Sequence, residues 1–69
     1  MITVIEMQNG AIGNNKWVYN DENEAKSKFY AQASIAALSQ VAVHTVIIIT
    51  DEGFQLEPPV CFKHPQTQA

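Results

Sequence analysis

Residues 41–50 read VAVHTVIIIT and run directly into Asp51-Glu52-Gly53. In an extended chain Val41, Val43, Thr45, Ile47 and Ile49 point one way, while Ala42, His44, Val46, Ile48 and Thr50 point the other. Both sets are largely apolar, so such a strand belongs in a sheet covered on two sides. A chain of 69 residues has little material for two covers. The reading of this segment therefore decides both the fold and what must complete it.

A chain this short makes one domain, residues 1–69, with a polar C-terminal tail at 65–69. Folding at this size buries only about 60% of the extended surface, and a lone core supplies about 3–5 kcal/mol. Cys61 is the single cysteine, which excludes an intramolecular disulfide as reinforcement and suits a reducing cytoplasm. No apolar run reaches the ~18 residues of a membrane span, and MITVIEMQNG lacks the basic start and long apolar stretch of a signal peptide. A soluble, cytoplasmic protein without membrane contact is expected. The formal charge is −3, with four lysines and no arginine. Arginine is the main residue for bidentate phosphate and guanine contacts, so direct binding of nucleic acid is not expected.

Outward from the central segment, MITVIEMQ at residues 1–8 reads as a strand that starts at the first residue, with Ile2, Val4 and Glu6 on one side. Asn9-Gly10 is the dipeptide favoured for a type I′ hairpin returning through AIGNNKWVY. The alternative is one longer loop over residues 9–15 ahead of a short strand at Lys16 to Tyr19. Residues 20–40, NDENEAKSKFYAQASIAALSQ, predict a helix capped by Asn20 or Asp21, with Glu24 placed as in a capping box. Ala25, Phe29, Ala33 and Ala36 form the stripe expected to face the sheet. Ala31, Ile35 and Leu38 form a second apolar group roughly opposite. After the central strand, Gly53 suits the positive φ of a bulged hairpin, and Pro58-Pro59 breaks the return strand FQLEPPVCFKH and places it at an edge.

The order strand, strand, helix, strand, strand predicts an α+β fold: a ββαββ unit with one α-helix packed on an antiparallel sheet. One helix covers one face. The second sheet face and the outer helix patch then call for homo-oligomerisation, with Ala31, Ile35, Leu38, Val46 and Ile48 as expected interface residues.

The segments MITVIEMQ, NEAKSKFY, AQASIAAL and VHTVIIITDEG together resemble a group of small uncharacterised proteins of about this length from phages, prophages and gut Firmicutes. The similarity spans most of the chain and rests on hydrophobic pattern and turn chemistry. It implies a viral or mobile-element origin, with host cytoplasm as the location, and carries no catalytic or binding residue across.

Few residues offer chemistry. His44 lies mid-strand and reads either as a pocket or interface histidine or as a sheet histidine satisfied by its neighbours. Cys61 and His64 form C-x-x-H, half of a zinc spacing without a second pair, so no metal is expected. Ser27, Ser34 and Ser39 sit on the helix apart from the histidines, and no nucleophile–base–acid set assembles. NGAIGNN lacks the glycine spacing of a phosphate loop. No enzyme activity and no cofactor are expected. Trp17 and Tyr19 share one strand parity and, with Tyr30, Lys28 and His44, are the candidate ligand or partner contacts.

The expected function is that of a non-catalytic, homo-oligomeric binding protein of viral type. Its targets would be a host defence protein or a small nucleotide-like signal held between subunits. A structural or assembly accessory of a phage particle is the alternative.

Overall fold

The structure, a computed structural model, describes residues 1–65. Its elements are β1 (Ile2–Gln8), β2 (Lys16–Tyr19), α1 (Glu22–Ala37), β3 (Val43–Thr50) and β4 (Val60–Lys63). The four strands form one antiparallel sheet in the order β2-β1-β3-β4, and α1 contacts every strand. The fold is α+β, with a single helix on the sheet. Most of the expected tail, residues 66–69, lies outside the described residues.

Both readings of the first connection contribute to the observed one. Asn9 and Gly10 have φ of 54° and 85°, and Gln8 and Ala11 exchange backbone hydrogen bonds of 2.9 and 3.0 Å across them. Positive φ at both central positions is the signature of the type I′ turn. The chain then loops out over residues 12–15 and rejoins the ladder where Glu6 N–H donates to the Asn15 carbonyl at 2.9 Å. Only Lys16–Tyr19 pairs as a strand, in the register Val4↔Trp17.

The central pair is β1 with β3, in register along all of β1 from Ile2↔Thr50 to Gln8↔His44. Asn9 extends it, its N–H donating to the Val43 carbonyl at 2.7 Å and its Oδ1 accepting from the Val43 N–H at 3.0 Å. The second hairpin turns at Gly53, φ 87°, and Phe54 N–H donates to Thr50 Oγ1 at 3.2 Å. Pro58-Pro59 postpones β4 to Val60, so β4 pairs only with Val43–Val46, at the edge.

Helix α1 is shorter than the 20–40 span expected. Asp21 is the N-cap, its Oδ1 accepting from the Asn23 N–H at 3.0 Å. At the other end Leu38 leaves helical geometry at φ −105°, ψ 4°, and Ser39 Oγ folds back 3.1 Å from the Ala36 carbonyl. That side-chain bond competes with another helical turn and closes the helix early.

The core lies between α1 and one sheet face. It comprises Val4, Ala25, Phe29, Ala36, Val46 and Ile48, with Trp17, Tyr19, Leu56, Val60 and Phe62 packed against it. Directly paired residues share a face, so Val4, Val46 and Ile48 lie under the helix. This corrects the expectation that Val46 and Ile48 line an oligomer interface, since both are fully buried inside the chain's own core. It also corrects the helix stripe: Gln32, not Ala33, completes the buried set with Ala25, Phe29 and Ala36.

The opposite sheet face has no element of the described chain over it. It carries Lys16 and Val18 from β2, Thr3, Ile5 and Met7 from β1, Thr45, Ile47 and Ile49 from β3 with Val43, and Cys61 and Lys63 from β4. The turn at Asn9-Gly10 fixes how this face is presented. A Cβ on Gly10 would meet no atom within 4 Å. Gly10→Ala should therefore cost about 1–2 kcal/mol through backbone strain alone. The check is a lower urea midpoint at unchanged m-value.

Candidate functional site

Beneath the C-terminal half of α1 the sheet carries two polar residues where apolar ones would be expected. Glu6, on β1, is 5% exposed, and His44, on β3, is 1% exposed. The register Glu6↔Val46 and Gln8↔His44 makes them diagonal neighbours on the covered face. Glu6 Oε2 stands 2.9 Å from His44 Nε2 and accepts a hydrogen bond from Gln32 Nε2 at 3.0 Å. On the far side of the imidazole, Nδ1 lies 2.7 Å from Ser39 Oγ. Glu6, His44, Gln32 and Ser39 thus form one cluster joining two strands to the helix and its exit.

The Glu6 carboxylate is close to His44 Nε2 but off the line of its N–H, so that contact is chiefly electrostatic and not a straight hydrogen bond. Ser39 has one hydroxyl proton and two acceptors in range, His44 Nδ1 and the Ala36 carbonyl. The same carbonyl is 2.9 Å from His64 Nε2, whose ring stacks on Phe62. His44, through Ser39, and His64, just past β4, therefore converge on the helix end, whose last carbonyls need partners.

Hydroxyl, imidazole and carboxylate in line are also the components of nucleophilic catalysis. Here the imidazole is buried, the hydroxyl is engaged with the helix carbonyl, and no cavity opens among the described residues. The arrangement can hold a helix end. It presents no cleft in which a substrate could meet the hydroxyl.

The other candidate residues are dispersed. Lys28 Nζ sits 4.3 Å from the centroid of the Trp17 ring, a cation–π contact on the β2 side of the helix. Tyr19 is half-buried beside Trp17 against the core. Tyr30 lies on the opposite flank, 54% exposed, its ring edge against Phe29 at 5.4 Å. A hydrogen bond to Glu57, with desolvation and the charge of that carboxylate, raises the Tyr30 pKa above its ordinary value. Lys26 is likewise raised, first by its hydrogen bond to Glu22 and the attraction of that carboxylate, then by Glu57. Trp17, Lys28 and Tyr19 are brought together, but Tyr30 and His44 are not part of that group.

On the outer side of α1, Ala31, Ile35 and Leu38 are exposed as expected, Leu38 the most open apolar side chain at 86%. Cys61 belongs to the open sheet face, whereas His64 bonds the helix end, so the C-x-x-H spacing brings no pair of ligands together. No group of three or more metal-ligating side chains occurs among the described residues. No helix among them is long and apolar enough to cross a membrane.

Glu6 and Gln32 are not among the residues the sequence marks for chemistry, and the expectation that Ser39 sits on the helix apart from the histidines is corrected: it lies past the helix end, 2.7 Å from His44 Nδ1. One signal was present: Glu6 shares strand parity with Val4, a carboxylate on the covered side that required a partner. Gln32 and Ser39 become its neighbours only through the register of β1 on β3 and the seating of the helix. Comparison with protein-family models, with curated proteins and with solved structures gives no match.

Removing the carboxylate alone should be severe. Glu6→Ala leaves buried His44 and Gln32 without their common partner and should cost about 3–5 kcal/mol. Joint replacement of Glu6, Gln32 and His44 by leucine should recover most of that loss; denaturant unfolding at one fixed protein concentration makes the comparison. A separate outcome concerns Tyr30. Its raised folded-state pKa means that its bond to Glu57 stabilises below the unfolded tyrosine pKa and is lost as pH rises through the folded value. Absorbance titration in alkali should show one tyrosine ionising late, and Glu57→Ala should bring it back toward the ordinary value.

Proposed function

We propose that this protein is a small non-catalytic binding protein of viral or mobile-element type that acts as a homo-oligomer. Its target is a host defence factor or a small nucleotide-like signal enclosed between subunits, so that it works by inhibition or sequestration in the host cytoplasm. The observation that carries this reading is the open sheet face. Its central strands carry Ile5, Met7, Val43, Ile47 and Ile49 with Thr3 and Thr45, and no described element covers it. Contiguous apolar surface of this kind marks protein contact. The exposed helix patch around Ile35 and Leu38 offers a second such surface on the opposite side.

The polar cluster supports a binding role over a catalytic one. Its hydroxyl and imidazole are spent on anchoring the helix end. Residues that would have to contact substrate instead hold two layers together.

Two measurements test the reading. Light scattering at micromolar concentration should show particles heavier than the 7.6 kDa chain; a stable monomer sinks the oligomeric part. Expression in a bacterial host that restricts a phage through a nucleotide-signalled defence should raise plating of that phage. Unchanged plating, with flat calorimetric titrations against the signalling nucleotides, removes the anti-defence part.

A further inference from the structure

We infer that Asn9 is a site of spontaneous deamidation, that the folded hairpin holds the reaction back, and that its isoaspartyl product keeps the hairpin from closing again. Asn9 is the one asparagine of the chain followed by glycine; Asn14, Asn15, Asn20 and Asn23 precede Asn15, Lys16, Asp21 and Glu24. In this reaction the backbone nitrogen of the following residue attacks the side-chain amide carbon, and glycine, without a Cβ, hinders that attack least. The bond from the Gly10 nitrogen to Asn9 Cγ forms, the Cγ–Nδ2 bond breaks, and the proton of the attacking nitrogen leaves with ammonia. Water then opens the resulting succinimide. Cleavage at the side-chain carbon gives aspartate. Cleavage at the main-chain carbonyl gives isoaspartate, whose main chain runs through the former side chain.

The structure exposes this dipeptide and restrains it at the same time. Asn9 and Gly10 are both exposed, and the Gly10 N–H has no hydrogen-bond partner among the described residues. Nothing lies within 4 Å of the place a Gly10 Cβ would take, so water reaches the turn freely. Asn9 is held instead. Its Oδ1 accepts from the Val43 N–H at 3.0 Å, its own N–H donates to the Val43 carbonyl at 2.7 Å, and the type I′ turn fixes its φ at 54°. Closing the succinimide ring swings the carboxamide carbon onto the Gly10 nitrogen, which breaks the bond to Val43. The reaction in the folded chain therefore proceeds through the small population in which this hairpin is locally open.

The two products differ at the turn. Aspartate leaves the main chain unchanged and offers the Val43 N–H a charged acceptor. Isoaspartate adds one carbon to the main chain inside a two-residue turn, so the Gln8–Ala11 bonds of 2.9 and 3.0 Å cannot both re-form. The pairing of β2, four residues long, starts beyond that turn and loses its guide.

Incubation at mildly alkaline pH tests this, with tandem mass spectrometry to place each amide-to-acid change and an isoaspartyl methyltransferase to count the isoaspartyl form. Asn9 should react ahead of the other four asparagines. In urea beyond the unfolding transition its reaction should run more than about tenfold faster than in the folded chain. Val43→Pro removes the donor to Oδ1 at the first residue of β3, where proline is tolerated, and should speed the reaction about fivefold while circular dichroism reports a folded chain. Among the separated products, hydrogen exchange at the Ala11 amide should be slow in the aspartyl form and fast in the isoaspartyl form. Reaction at the other asparagines before Asn9 overturns the site. Equal rates in the folded and the urea-unfolded chain overturn the restraint, whether or not Val43→Pro folds, and an unchanged rate in a folded Val43→Pro overturns the part given to Val43. An isoaspartyl chain whose Ala11 amide stays protected overturns the loss of the hairpin.

Discussion

One helix can cover one face of a four-stranded sheet, and every other feature of this molecule follows from that limit. Helix α1 reaches all four strands on one side, and among the described residues the buried apolar ones lie between the helix and the sheet. The core is small: six apolar side chains are buried among the described residues, three of them alanine or phenylalanine from the helix. Each large one contributes about 1.5–3 kcal/mol, against the ordering of more than sixty residues. A domain with so narrow a margin gains from whatever covers its second face.

In the buried polar cluster Glu6, His44 and Gln32 occupy space that leucines could fill. Its geometry shows another use. Glu6 binds the helix side chain at Gln32, His44 binds the helix exit at Ser39, and His64 binds the terminal carbonyl at Ala36. Apolar contacts would tolerate a helix sliding along the sheet, whereas a cluster with directional partners is satisfied at one position only. The cluster thereby sets where the helix stops, and with it where the chain enters β3.

The parts of the fold legible in the sequence are those encoded locally. Asn9-Gly10, Gly53 and Pro58-Pro59 announce the turns and the broken edge because glycine and proline act on their own backbone angles. Asp21 announces the helix start because a carboxylate two residues ahead of a free N–H caps it. The misreadings share one cause. The helix stripe takes Ala33 for Gln32 because the polar partner that draws Gln32 inward lies on a distant strand, and Val46 and Ile48 read as interface because which parity of a two-sided strand meets the helix is not a local property. Both sides of VAVHTVIIIT are apolar, so hydrophobicity could not choose between them.

By itself, then, the sequence determined the element order, the turn at Gly53, the broken edge strand and the presence of more apolar surface than one helix can cover. Tertiary structure decided which surface that is. The register of β1 against β3 puts Glu6 beside His44, and a carboxylate and an imidazole that share a face need donors and acceptors from the layer above. Gln32 and Ser39 supply them, so the helix sits over the His44, Val46 and Ile48 side. Val43, Thr45, Ile47 and Ile49, the side with no polar partner to satisfy, face outward.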